Sequence, residues 1–384
     1  MNKQDKPIEK FQSKLLDFFD KIEKNSLQKP MNLARKKFII LFIDAMIRCR
    51  NVQFTEVASH MDTSVCDDSN LRRIQDFFAD YRLDYRQLAI VLLFFLPDDK
   101  NAHLSIDRSN WTYGSVDINI LTVSVYCRGV GIPIWFEMLE DKSGGNSNTK
   151  ERCYVIRQVL KILKGRQVFL YGDREFIGKD WVGFLLEAKI TFYLRIKRNT
   201  RLTYKGKEQS VLEWLGSRKS RRMDGVNVWG RQLSIEMKRL KTKSKNMMYQ
   251  HLFVLTNATA KGACNAYQNR WSIEVFFQSI KGRGFRIEQT HLQDLKRLRK
   301  LFALVALAFV LCLSMGIWWN DCLKTIEVKN HGYKRNSFFR YGLNKIRECQ
   351  RLNRHNILSR FIRFIDQLIH RINTLFQQKT KILM

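Results

Sequence analysis

Apolar residues of the first hundred positions recur at helical spacing, in runs at about 33–50, 54–62, 68–80 and 84–95. Thr55 can cap the second helix, and Ser69 or Asp68 the third. Short helices around the polar turn HMDTSVCDDSNLRR suggest a helical DNA-binding module. A plain bundle that braces the rest fits as well. Beyond residue 100 the period drops to two. HLSID (103–107) alternates and ends on Asp107, while VDINILTVSVYC (116–127) and GIPIWFEML (131–139) are joined by RGVG. These predict an antiparallel meander of three strands. A glycine- and serine-rich loop (142–148) leads to a helix over 149–165. A strand at 167–173 then ends on Asp173, a helix covers 181–189, and a strand covers 190–197. Three strands, a helix, a strand, a helix and a strand make a mixed α/β layer.

Residues 199–256 are basic, with short β-like pieces. The stretch from Tyr267 to Gly284, YQNRWSIEVFFQSIKGRG, returns to helical spacing. Its polar residues Tyr267, Arg270, Glu274 and Lys281 fall within about 60° around a helix axis. Ile273, Phe277 and Ile280 flank that stripe on a face suited to burial. A carboxylate between a phenol and two cations suggests a phosphate-gripping site. The plainer reading is a solvated face with an Arg270–Glu274 ion pair.

The 19 uncharged residues Leu301 to Trp319 could span a bilayer by length. Ser314, Gly316 and the basic tail that follows argue for a buried core helix instead. The remaining residues read as basic helices, and no internal repeat is visible.

Charge narrows the function. The 384 residues hold 68 Lys and Arg against 36 Asp and Glu, a formal +32 spread along the chain. Such an excess implies a polyanionic partner, nucleic acid before a membrane surface or a ribosome. The basic runs at 218–222 (RKSRR) and 238–245 (KRLKTKSK) are expected to follow phosphates. Eight cysteines without CxxC spacing or histidine neighbours argue against zinc and for free thiols in a reducing cytosol. The segment MNKQDKPIEKFQ has no apolar signal-type run. A cytoplasmic, nucleoid-associated protein is expected.

Acidic residues at strand ends can converge. Asp107, Asp173 and Glu274, with no Cys or His beside them, would make a hard oxygen site for Mg²⁺ or Mn²⁺. Two ions about 3.5–4 Å apart serve phosphoryl transfer. Taken singly, the two aspartates could cap turns and Glu274 could be a surface ion pair.

The words around these residues resemble a known family. Tyr267, Arg270, Glu274 and Lys281 match the Y-x2-R-x3-E-x6-K signature of DDE transposases of the IS-four family of insertion sequences. SIDRSNWTYG, YGDREFIG and NRWSIE resemble its segments around the three catalytic acids, and SNLRRIQDFF resembles its N-terminal region. The resemblance covers most of residues 65–320. It implies an RNase H-like mixed sheet with flanking helices, a β-rich insertion, and helical N- and C-terminal regions. The implied division is 1–100 DNA-binding, 101–198 and 257–322 catalytic core, 199–256 insertion, and 323–384 a basic helical region. Helix 301–319 becomes a core helix over the sheet.

On that resemblance Asp107, Asp173 and Glu274 hold two metal ions and catalyse cleavage and strand transfer at inverted-repeat ends, through a hairpin intermediate. Arg270, Lys281 and Tyr267 contact DNA phosphates. Trp271 stacks on a displaced base or packs in the core, the latter preferred. Trp229 is another stacking candidate. Arg174, Glu175, Arg108 and Asn110 either orient the aspartates or serve turns. Partners are double-stranded DNA (terminal repeats and target) and a second copy in a homodimer, with no membrane. The alternative is an inactive relative that binds DNA and represses transposition.

Overall fold

The computed structural model describes residues 31–95, 100–139, 145–241, 249–330 and 332–352, together with positions 13, 16, 17, 20 and 365. Most of the basic tail, residues 242–245 of the second basic run and residues 142–144 of the glycine-rich loop lie outside the described residues. Contacts divide the chain into two compact units, Asp98–Phe276 and Met1–Pro97 with Phe277–Met384.

The first unit is built on one ten-stranded sheet. β1 (Asn101–Tyr113), β2 (Val116–Cys127) and β3 (Val130–Met138) form the expected meander. α5 (Thr149–Ile162) leads to β4 (Gln167–Gly172), and α6 (Lys179–Glu187) leads to β5 (Thr191–Arg195). β4 pairs parallel to β1, and β5 pairs parallel to β4. The order β3-β2-β1-β4-β5 is the RNase H-like arrangement. β2 is buried over most of its length, as expected for a strand covered on both faces. A capping box between Asn148 and Glu151 starts α5, satisfying N–H groups that a helix end leaves open.

The sheet continues past β5. β6 (Arg201–Tyr204), β7 (Lys207–Ser210), α7 (Val211–Leu215), β8 (Ser220–Val228), β9 (Arg231–Lys241) and β10 (Tyr249–Thr256) follow, and β10 pairs antiparallel to β5. The β-rich stretch thus extends the sheet through main-chain pairing. Trp229 and Gly230 turn the β8–β9 hairpin with φ of 53° and 77°, the left-handed pair of a type I′ turn. α8 (Ala263–Ala266), a 3₁₀ turn (Tyr267–Arg270) and α9 (Trp271–Ile280) close this part of the chain. Gly131 on β3 sits where a Cβ would press on the Ile273 Cα and the Ser124 side chain. Its lack of a side chain lets α9 come down on the sheet.

The second unit is helical. α1 (Leu33–Cys49), α2 (Phe54–Ser59), α3 (Asp67–Asp80) and α4 (Tyr85–Phe94) correspond to the four apolar runs. Their starts differ slightly from expectation. Gln53 precedes α2 and Cys66 precedes α3, neither with a side-chain cap, while Asn32 and Asp84 cap α1 and α4. Phe38, Phe42, Phe54, Phe77 and Phe78 pack ring on ring, with Phe38 and Phe77 stacked at 4.4 Å. The uncharged run lies in α10 (Leu295–Cys322), which is apolar and long enough to cross a membrane but mostly buried. It packs against α11 (Phe338–Leu352), α1, α3 and α4, so it is the core of this helical unit. Lys300 on α10 donates to the carbonyls of Phe78 and Ala79 at the end of α3.

Candidate active site

Strand register brings the two aspartates together. The last parallel pair between β1 and β4 is Ile106 with Gly172, and that between β4 and β5 is Gly172 with Leu194. The next residues on the three strands are Asp107, Asp173 and Arg195. Asp107 does not end its strand as expected. β1 runs on to Tyr113 because its far half pairs with β2, while β4 stops at Gly172 and leaves Asp173 just past the end of a central strand.

The segment bearing the third acid lies over these strands. The 3₁₀ turn Tyr267–Arg270 packs on β1, β4 and β5. The Ser105 hydroxyl donates to the Asn269 carbonyl at 3.3 Å, and Asp107, two residues on, shares that face. Arg270 Nη1 donates to Asp107 Oδ2 at 3.1 Å, and Arg270 Nη2 donates to Glu274 Oε1. The Tyr267 hydroxyl donates to Asp173 Oδ1 at 3.4 Å, and Arg195 lies 3.7 Å from the same oxygen.

The expected single stripe is divided in two. Residues 267–270 wind as a 3₁₀ turn, in which positions three apart eclipse. Arg270 therefore lies over the Tyr267 ring, 5.7 Å from its centre. The α-helix begins only at Trp271, and Arg270 reaches Glu274 one turn on. Lys281 falls just past α9, in the helical unit, where it pairs with Glu288 at 2.7 Å. Trp271 is 56% exposed, which overturns the preference for core packing. The start of α9 buries Ile273 and Phe276 and turns position 271 outward.

Electrostatics reflect the crowding. Burial, then the charges of Glu274 and Asp173, push the Asp107 carboxyl up to about 6 against the pull of Arg270. Burial works against the Arg270 charge, but Tyr267, Asp107, Asp173 and Glu274 more than reverse it, so its pKa is raised. Burial also raises the Tyr267 hydroxyl, with the neighbouring Asp173 adding to it. Tyr171 beneath is pushed up to about 12 by burial. It bonds to His103 at 2.7 Å and to Asn269 at 3.3 Å.

A second network flanks the aspartates. Arg108 donates through Nε to both Glu175 oxygens at 2.7 and 2.8 Å, and through its other nitrogens to Asn119, the Gly145 carbonyl and Asn146. Glu175 also accepts from the Ser147 N–H and hydroxyl at 2.9 and 2.8 Å. Arg152 donates to the Ser147 hydroxyl and stacks over Phe176. Arg108 and Glu175, not Asn110 or Arg174, are thus the partners built into the structure beside Asp107 and Asp173. Asn110 and Arg174 are exposed.

The basic run 218–222 is partly structural. Arg221 stacks on Trp214 and donates to its carbonyl, and Arg222 pairs with buried Glu236 at 2.9 Å. Glu236 also accepts from the Cys264 N–H at 2.8 Å, tying β9 to the segment that enters the 3₁₀ turn. In the second run, Lys238 donates to Asn265 and Arg239 to the Gly216 carbonyl. Arg195 is the site residue that sequence reading missed. Its signal was its position in the strand ITFYLRIK, meaningful only once β4 and β5 are aligned.

No curated protein matches the chain. A cryo-EM structure of the piggyBac transposase synaptic complex with hairpin DNA is similar over 94% of this chain and 82% of that one, at 14% identity and a TM-score of 0.49. Residues 122–311 match the model of the family described as the transposase DDE domain, a span that holds Asp173, Tyr267, Arg270 and Glu274 and begins after Asp107. That match supports a DDE transposase.

Proposed function

We propose that the chain is a transposase of the IS-four type that cuts and joins DNA at the inverted-repeat ends of its own element. One observation carries this reading. Arg270 is bonded to both Asp107 and Glu274, and beside them Tyr267 and Arg195 flank Asp173, so three acids far apart in sequence are drawn towards one face by two arginines and a tyrosine. The side chains of Asp107, Asp173 and Glu274 stay 20%, 31% and 27% exposed.

The donors are carboxylate oxygens without sulfur or imidazole, which suits Mg²⁺ or Mn²⁺. Among the described residues no three acids, histidines or cysteines stand close enough to be a ready-made metal group. Arg270 holds two of the three acids. Asp107, Asp173 and Glu274 are the residues that would hold two ions. The ions would supply activation of the attacking oxygen and stabilisation of the leaving one.

The chain's own residues do the positioning. Arg270 and Arg195 offer guanidinium groups to a phosphate, where charge-assisted bonds are strong. Tyr267 offers its hydroxyl to a phosphate oxygen. Lys281 contributes charge further along the strand. Exposed Trp271 and the hairpin-tip residue Trp229 can stack on an unpaired base, as a hairpin at the DNA end requires. Target DNA and a second copy of the chain complete the assembly, and a cytoplasmic, nucleoid-associated setting follows from the DNA substrate.

Oligonucleotides carrying the element's termini test the proposal. The wild type should cleave them only with Mg²⁺ or Mn²⁺. Asp107→Asn, Asp173→Asn and Glu274→Gln should each lower cleavage by at least about a thousandfold while still binding DNA, the scale expected when a group acting in the transition state is lost. A wild type that binds but never nicks would leave only the repressor reading.

A further inference from the structure

Four arginine side chains of the helical unit, those of Arg50, Arg286, Arg340 and Arg347, gather at one corner round the backbone of a fifth, Arg283. Arg50 Nη2 and Arg340 Nη1 both donate to the Arg283 carbonyl, at 3.4 and 2.9 Å. Arg347 donates to the neighbouring Arg48 carbonyl at 3.2 Å. Burial lowers the pKa of Arg50, and repulsion from Arg340, Arg347 and Arg286 lowers it further. Among the described residues the ion pairs of this unit use other cations, so none of the five has a carboxylate partner. The buried Nε of Arg50 has no hydrogen-bond partner.

The backbone adds an independent observation. Arg50 ends α1 with φ 56°, and Arg286 has φ 55°. Both lie in the left-handed region, where glycine is at ease and an ordinary side chain is strained. Glycine is the usual residue at such a helix end. Gathering like charges is also unfavourable until an anion enters among them.

We propose that Arg50, Arg283, Arg286, Arg340 and Arg347 form a binding site for the phosphate backbone of duplex DNA, separate from the catalytic acids and indifferent to base sequence. The planar forks of arginine suit phosphate oxygens. Carbonyl bonds already hold three of the side chains. Arg283 and Arg286 are exposed and the other three half-buried, as a surface that meets a rigid polyanion requires. The proposal rests on the reading of DNA as substrate and names where the helical unit grips it.

The left-handed positions supply a clean test. Arg50→Gly and Arg286→Gly relieve the backbone, so the double variant should melt at or above the wild-type temperature. The full-length chain is titrated against a random-sequence duplex by fluorescence anisotropy over a salt series. The slope of log affinity against log salt should shrink by about 2, one for each lost phosphate contact. Affinity at fixed salt should fall at least tenfold, equally for unrelated duplexes. A folded double variant with unchanged slope and affinity overturns the proposal. Cleavage of terminal sequences is scored separately. A wild type that never cuts, paired with a variant whose salt slope falls as expected, would sink the transposase reading and leave this site standing.

Discussion

Asp107 is the residue whose surroundings say most. Its carboxyl is lifted to about 6, first by burial and then by Glu274 and Asp173. A raised carboxyl holds its proton more tightly in the folded chain than in the unfolded one. Its contribution to stability is therefore full below about pH 4 and is lost as pH rises through about 6. Metal-free protein should lose stability over that window relative to Asp107→Asn, measured by denaturant melts at several pH values. Metal binding needs the ionised form, so the affinity for Mn²⁺, read by calorimetry, should rise about tenfold per pH unit below 6 and level off above it. A flat profile from pH 5 to 7 would separate Asp107 from the metal. The neighbouring pair behaves differently. Arg108 and Glu175 are 12% and 14% exposed and fully engaged with each other. Glu175→Ala strands Arg108 and Arg152 without their carboxylate, and should cost about 3 kcal/mol of unfolding free energy. Because the pair sits beside both aspartates, the Mg²⁺ concentration for half-maximal cleavage should also rise. A change in stability with an unchanged metal requirement would make the pair purely structural.

Among the elements, those with an unmixed period could be read in advance. The meander β1–β3, the strand β4 that stops one residue before Asp173, and the helices α5 and α6 follow from alternation and amphipathicity. The winding of residues 267–270 could not be read, because a 3₁₀ turn and an α-helix share nearly the same apolar spacing over four residues. Nor could the path of the β-rich stretch. Its last strand, β10, pairs with β5 through main-chain groups that leave no mark on side-chain pattern. Basic runs were legible as charge but not as role, since Arg221 packs on Trp214 and the exposed Arg222 pairs with buried Glu236. Trp229 in a left-handed turn is a further case. A bulky residue held there is unfavourable locally, and stacking on DNA would account for its presence.

The two units of the chain are held by different means. Residues 98–276 rest on one continuous sheet, while the helical unit is organised round α10. α10 and α11 touch backbone to backbone. A Cβ on Gly342 would run into the Cys312 carbonyl, and one on Gly316 into the Phe338 carbonyl. Gly342→Val should therefore destabilise by about 3 kcal/mol or more, seen as a fall in the melting temperature, since backbone cannot yield as a side chain can. An unchanged melting temperature would mean that the two helices part easily. The chain's periodicity was enough to settle that this is a mixed α/β protein with helical flanks, because burial of alternating and helical faces is a local property, and its charge pointed to a polyanionic partner. Long-range pairing settled the rest. The aspartates become neighbours only when β1 and β4 align at Ile106 and Gly172, and Arg195 joins them only through β5. The arginine corner exists only because α1, α11 and the turn after α9 meet. Such meetings depend on register and on helix crossings, and neither is written in any short stretch of residues.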